Sequence, residues 1–280
     1  MKRVKVVTDS SSGLPREIQK QYDITVVPIP IQIGEGSYKE HVNLSADDFY
    51  RLLDGEVMPK TSSPSPGEFV ETYIRLASAA SEIISVHVTA KGSGTCQSAK
   101  VAADSVAEKV KVHVYDSNTV SMGTGFLSIE AAKAALEGLT FDQIKERLDA
   151  LKDRIRAFVA LPTLKYLQKS GRLSHGQAVF GSLLSIKPVI EVKDGLLEVV
   201  DKVRSYPRAL DRVVELAAEA VSKIPSRVAV MHGNSYEEAV KFAEQLKKRI
   251  NITQLVIGEV GASLAVHGGP RMIGVVLLPE

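Results

Sequence analysis

Apolar and polar positions alternate along the first half of the chain in a repeating order of strand, polar turn and helix. Residues 4–8 form an apolar run that stops at Asp9-Ser10-Ser11-Ser12-Gly13, which reads as a buried strand ending in a polar turn, with a helix over 15–22. Residues 24–33 form a second extended run, interrupted by Pro28 and Pro30 as an irregular or edge strand is. A short helix over 44–53 precedes Pro59-Lys60-Thr61-Ser62-Ser63-Pro64, a polar stretch read as loop, with Ser63 held extended by Pro64. Ser65-Pro66-Gly67-Glu68 then has the form of a capping box with proline at the first helical position, opening a helix whose Phe69, Tyr73, Leu76 and Ala80 share one face. The same unit recurs twice more. A strand over 83–88, a glycine turn and a helix over 93–109 are followed by a strand over 111–115, the polar run Asp116-Ser117-Asn118-Thr119 and a helix over 121–136. Such alternation predicts a parallel sheet with helices on both faces, its site at the carboxyl ends of the strands.

After a helix over 141–152 and a strand over 156–160 the pattern changes. Asp194-Gly195 between apolar runs at 187–192 and 196–203 is a two-residue hairpin signal, so antiparallel pairing enters here. Helices over 207–222 and 235–250 alternate with strands over 227–231 and 254–257, and a last strand covers 273–278. The expected architecture is α/β in two domains: a three-layer parallel-sheet domain over 1–156 and a mixed-sheet α+β domain over 157–280.

Composition narrows the function classes. With 280 residues, 44% hydrophobic and 24% charged, the chain can bury a sizeable core. Its net charge of +2 is spread without runs of one sign, so neither a nucleic-acid arm nor a polybasic membrane patch is expected. No apolar run reaches 18 residues, which argues against stable membrane insertion, and the basic start meets Asp9 too early for a signal peptide. Cys96 is the single cysteine, which rules out an internal disulfide and fits a reducing, cytoplasmic setting.

The motifs of common enzymes are missing or incomplete. There is no P-loop, Ser128 stands where the dinucleotide fingerprint needs a third glycine, and the scattered histidines form no metal motif. No cofactor is expected. Gly261-Ala262-Ser263-Leu264-Ala265 approaches a nucleophile elbow but ends in alanine, leaving a serine hydrolase using Ser263 or Ser93 as a lesser alternative. What remains are neutral hydrogen-bond donors suited to a carboxylate or phosphate: Thr61, Ser62, Ser93 beside the helix start at Gly94, and His267 in a glycine-rich stretch. These favour binding over catalysis.

Taken together and in order, Thr8-Asp9-Ser10, the run from Thr61 to Phe69, Ser93-Gly94-Thr95-Cys96-Gln97-Ser98-Ala99, Asp116-Ser117 with Ser121-Met122-Gly123, Tyr166-Leu167 with Gly171-Arg172-Leu173, Ile186-Lys187-Pro188 and His267-Gly268-Gly269-Pro270 resemble the DegV family. The resemblance covers essentially the whole chain. It implies a two-domain protein that binds a long-chain fatty acid, with Thr61, Ser62, Ser93 and His267 on the carboxylate and a second-domain tunnel for the acyl chain, lined by Leu164, Leu167, Ile186 and Val189. It further implies service as the acyl-carrying subunit of a bacterial fatty acid kinase, with Arg172 and Arg204 facing the ATP-binding kinase partner and no catalytic apparatus of its own. A stand-alone lipid carrier is the other reading. The sequence departs from the family in Lys91-Gly92 before Ser93 and in the two glycines after His267.

Overall fold

The computed structural model describes residues 4–53, 57–173 and 186–280. The first half contains β1 (Val4–Asp9), a one-turn 3-10 helix at Ser10–Ser12, α1 (Arg16–Gln21), β2 (Ile24–Val27), β3 (Pro30–Ile33), β4 (Gly36–Lys39), α2 (Ala46–Leu53) and β5 (Lys60–Thr61). It continues with α3 (Pro66–Ala77), β6 (Glu82–His87), α4 (Thr95–Ser105), β7 (Lys111–Asp116), α5 (Met122–Leu136) and α6 (Phe141–Lys152).

Four of these strands form a wholly parallel sheet in the order β2-β1-β6-β7. Alternation along the strands sends Val7 and Ile83 toward Phe69 and Tyr73 of α3 and Ala99 of α4, while Val6 and Ile84 face Phe126 of α5 on the other side. Because the chain runs outward from β1 in both directions, a crevice opens between the carboxyl ends of β1 and β6. The polar runs Asp9–Ser12 and Thr89–Ser93 stand at those ends. The stretch expected to be loop before α3 differs: Lys60–Thr61 pairs with β3, and β3 pairs with β4, in a small antiparallel sheet. Two residues carry too little periodicity to announce a strand. Likewise α4 ends at Ser105, four residues short of expectation, in a turn whose Val106 and Val110 are buried against the α3 and α4 side of the sheet.

The second half contains β8 (Arg156–Ala160), α7 (Lys165–Ser170), β9 (Lys187–Lys193), β10 (Leu196–Val203), α8 (Tyr206–Val221), β11 (Ser226–His232), α9 (Tyr236–Lys247), β12 (Ile252–Glu259), α10 (Ala262–Gly268) and β13 (Ile273–Pro279). Six strands make a mixed sheet, β10-β9-β8-β13-β11-β12, in which only β11 and β12 are parallel. Its outer face, with Val189, Val228, Val230 and Val275, packs on α8 and α9. The inner face turns toward the first sheet, and α5 lies between the two. That helix is buried on nearly all sides, as its predominantly apolar and small residues allow, and its Glu130 receives Arg227 of β11 at 2.7 Å. No described helix is long and apolar enough to cross a membrane.

Candidate functional site

A cavity of about 770 Å³ lies between the domains. One side is built from the carboxyl ends of β1 and β6 and from the 61–63 segment. The other comes from α7, α10 and the inner face of the six-stranded sheet, where Val159, Leu167, Ile190, Leu197, Met272 and Gly274 form an apolar wall.

Polar groups gather at its mouth. Thr61 ends β5, and Ser62 is fixed by its N–H to Pro30 O at 3.2 Å. Ser63 Oγ lies so close to the α4 start that a β-carbon at Gly94 would be 2.9 Å away. Ser93 Oγ accepts from Thr95 N at 3.3 Å and pairs with Thr95 Oγ1 at 2.8 Å, which orients it beside the partial positive charge of the α4 N-terminus. From the second domain comes His267, whose Nε2 is 3.3 Å from Thr61 Oγ1. The helix that carries it is secured at both ends. Glu40 of the first domain accepts from Ser263 N at 3.0 Å, capping α10 from across the interface. At the other end Gly269, with φ +77°, lets Tyr166 of α7 pack where a β-carbon would sit 2.3 Å from the ring.

Burial, reinforced by the positive charge of Arg172, pushes the His267 imidazole down to about 4, so it is neutral near pH 7. Its Nδ1 has no partner among the described residues. The Thr61–His267 pair therefore holds one spare proton in either tautomer. If Thr61 donates to Nε2, the Nδ1–H is free; if Nε2–H donates, the threonine hydroxyl is free. The Nδ1 atom is enclosed, so the arrangement with Nε2–H donating is the one that leaves a donor, the Thr61 hydroxyl, for an anion at the mouth.

Below the mouth lies a buried polar chain that sequence reading missed. Tyr73 Oη meets Ser85 Oγ at 2.8 Å, Ser85 Oγ meets His87 Nε2 at 2.7 Å, and His87 Nδ1 meets Asp9 Oδ2 at 2.9 Å. Asp9 also accepts from Val88 N at 3.1 Å and from the backbone and hydroxyl of Ser11. The Asp9 carboxyl is held below the usual carboxylate range: burial opposes this, but the His87 bond and charge and the N–H donors outweigh it. Although Ser85, His87 and Asp9 line up as a nucleophilic triad does, all are fully enclosed, so the chain ties β1 to β6 and fixes the crevice rather than meeting solvent. The signal was faint, since Ser85 and His87 sit at alternate positions of an apolar strand and only Asp9 falls within a polar motif.

The structure brings Thr61, Ser62, Ser93 and His267 to one cavity. Arg172 stands exposed at its rim; Arg204 is exposed after β10 and does not line it. Among the expected acyl-lining residues, Leu167 faces the cavity, while Leu164 packs behind it with Leu161 and Ile190. Ile186 is half-buried away from the lining. Val189 points to the opposite face, against α8; its neighbour Ile190 takes the lining place because side chains alternate along β9. Neither Ser93 nor Ser263 has a histidine within hydrogen-bonding distance among the described residues, which removes the support for a hydrolase. Cys96 is buried behind Val88, its thiol pushed up to about 12 chiefly by burial and further by Asp116 and Asp9. No cluster of three or more metal-ligating side chains occurs among the described residues.

The sequence profile described as "Uncharacterised protein, DegV family" matches residues 3–280. A DegV domain-containing protein of Halalkalibacterium halodurans is 38% identical over 277 residues, 98% of each chain. Among solved structures, DegV of Bacillus subtilis, described as a fatty acid binding protein, superposes with a TM-score of 0.92 at 32% identity over 100% of both chains. A stearic acid-binding protein from Eubacterium ventriosum gives 0.92 at 27% identity over 99% of this chain and 98% of that one. With a profile match along almost its full length and relatives of this similarity, the chain belongs to the DegV family.

Proposed function

We propose that this chain binds one long-chain fatty acid, with the carboxylate held by Thr61, Ser62, Ser93 and His267 and the acyl chain along the apolar wall of the cavity. The observation that carries the reading is the Thr61–His267 contact across the domain interface, with its spare proton, at the mouth of that cavity. Burying an unpaired carboxylate is prohibitive, so neutral donors there must replace its water. Each methylene moved from water contributes roughly 0.8 kcal/mol, so the chain supplies affinity and the polar mouth supplies orientation. Fatty acid binding by the Bacillus subtilis and Eubacterium ventriosum proteins supports the same ligand class.

The polar end lies where a partner could reach it, since Ser62 and Arg172 are exposed. We therefore read the chain as the cytoplasmic lipid-binding subunit of a two-component fatty acid kinase, in which a separate ATP-binding protein phosphorylates the held carboxylate. Arg172 and Arg204 serve as partner contacts. Positioning is then this chain's whole contribution to the reaction.

The test begins with organic extraction and mass spectrometry of protein purified from a cellular host, which should give about one fatty acid per chain. No fatty acid, and no uptake by delipidated protein, would overturn the binding reading. Acyl phosphate should form only when ATP and a kinase from the same cell are both present; ATP consumption by the isolated chain would overturn the subunit reading.

A further inference from the structure

The two edges of the six-stranded sheet are built differently. At one edge β10 is broken by a bulge between Val199 and Asp201, carries Glu198, Asp201 and Lys202, and is bridged by Leu173. Bulges, charges and a covering segment are the devices that keep an edge strand from pairing with another chain. At the other edge β12 has none of them. Its ladder to β11 keeps one register from Gln254 to Glu259, it contains no proline or basic residue, and its single charge stands at its end. Every residue of β11 is buried and no residue of β12 is, and among the described residues only β11 and α9 pack substantially on β12. The helix beside this edge is open on the same side. Glu238 of α9 reaches Arg271, which leads into β13 away from the edge, at 3.4 Å. Tyr236 and Val240, two residues to either side of Glu238, lie about 200° around the helix from it and so look out over β12. Tyr236 is 61% exposed, and Leu255 and Ile257 beneath the helix are only half-buried.

We infer that β12 pairs antiparallel with β12 of a second copy of this chain about a two-fold axis, joining the two six-stranded sheets into one. Both spacing and charge fit a second copy. Because α9 packs on β11 and β12 alike, its axis lies over the gap between them, half a strand spacing in from the edge. Strands about 4.8 Å apart then set the two α9 helices roughly 10 Å from each other, the distance of packed helices. The two-fold runs them antiparallel, and α9 has Glu237 at its start and Lys247 and Lys248 at its end, so unlike charges meet at both ends of the helix pair. Between Ile252 and Gly258 there is no charge at all, so β12 meets itself without opposing like charges, whereas a charged partner strand would find no complement there. No residue of β12 or α9 lines the cavity, so the inference stands apart from the fatty acid reading.

The experiment is sedimentation equilibrium of the delipidated full-length protein over rising concentration. The mass should pass from one chain to two by about 100 μM and stop there, because a two-fold contact closes on itself. Val240→Glu sets a carboxylate against Glu244 of the other copy and should raise the dimer dissociation constant at least about tenfold. Glu237→Lys should weaken the dimer about threefold or more, and adding Lys247→Glu to it should restore the dimer, a rescue that general damage to the surface would not give. Thermal melts confirm that each variant folds; should Val240→Glu not fold, the charge exchange decides. A chain that stays monomeric throughout, a mass that keeps growing beyond two chains, or a dimer unmoved by the folded variants would each overturn the inference.

Discussion

Gly195→Ala should weaken this protein well beyond the usual effect of replacing a turn glycine. Gly195 is the second residue of the β9–β10 turn, with φ +75° after Asp194 at +48°, and the tip of that hairpin presses on the first domain. A β-carbon there would stand 2.3 Å from Thr89 Oγ1 and 2.6 Å from Asn118 Oδ1. Two bonds depend on the same approach: Thr89 Oγ1 donates to Gly195 O at 3.1 Å and Lys91 Nζ to Asp194 O at 2.7 Å. The left-handed backbone costs an alanine about 1–2 kcal/mol. Retreat of the tip adds about 1 kcal/mol for each bond lost, discounted at the exposed lysine, giving about 2–4 kcal/mol in all. Gly138→Ala is the control, because Gly138 has φ +82° and nothing within 4 Å of its would-be β-carbon, so it carries the backbone cost alone, about 1 kcal/mol. Urea unfolding of both delipidated variants against the parent compares them at one protein concentration and pH. Equal losses, within about 0.5 kcal/mol, would show that the hairpin tip does not depend on its contact with the first domain.

Other expectations follow from the same geometry. Ile190→Ala should reduce fatty acid affinity, whereas Val189→Ala should leave affinity near normal and lower stability by about 2 kcal/mol, the two separated by titration and by urea melts; equal effects on affinity would contradict the alternation of β9. His267 is lowered from its ordinary 6.5 to about 4, so the unfolded chain binds a proton first as pH falls. Apo stability should therefore be complete above pH 6.5 and decline toward pH 4 by up to about 3 kcal/mol, and His267→Gln should flatten that decline in a pH series of melts. Cys96 should resist a thiol-specific disulfide reagent in the native protein and react fully in denaturant; rapid native labelling would contradict its burial.

Strands that alternate or run apolar, and helices announced by caps, were legible in the sequence. The Ser65 capping box closes as its residues suggest, with Ser65 Oγ accepting from Glu68 N at 3.3 Å and Glu68 reaching back to Ser65 N at 2.8 Å. The helix over 141–152 and the strand over 156–160 match α6 and β8 at both ends. Elements whose support is tertiary were not legible. β5 exists because β3 lies beside it, and α7 and α10 are six and seven residues long, too short for periodicity to register. α10 is capped by Glu40, more than 200 residues away in sequence, so its start reads locally as a glycine loop. The hydroxyls at 61, 62 and 93 were visible as donors near strand and helix ends. The convergence with His267 was legible only through the family resemblance, because no local pattern announces a contact across the interface, and the choice between Val189 and Ile190 turned on a register that an apolar run buried on both faces leaves open.

The placement of α5 bears on how a ligand could enter. Val6, Ile84 and Phe126 of the first domain share one continuous core with Ala157, Met231 and Val276 of the second, and Arg227 reaches across to Glu130 in a charge network that extends to Lys133, Arg147 and Glu280. Swinging the two halves apart like a clamshell would wet that core and break the bond between Glu130 and Arg227. Division of the chain into two sheets is thus a matter of topology, while its unfolding should be a single cooperative event and neither half should persist when expressed alone. Ligand entry should then need only a local displacement, and release of the Asp194-Gly195 tip from Thr89 and Lys91 is one that breaks just two hydrogen bonds.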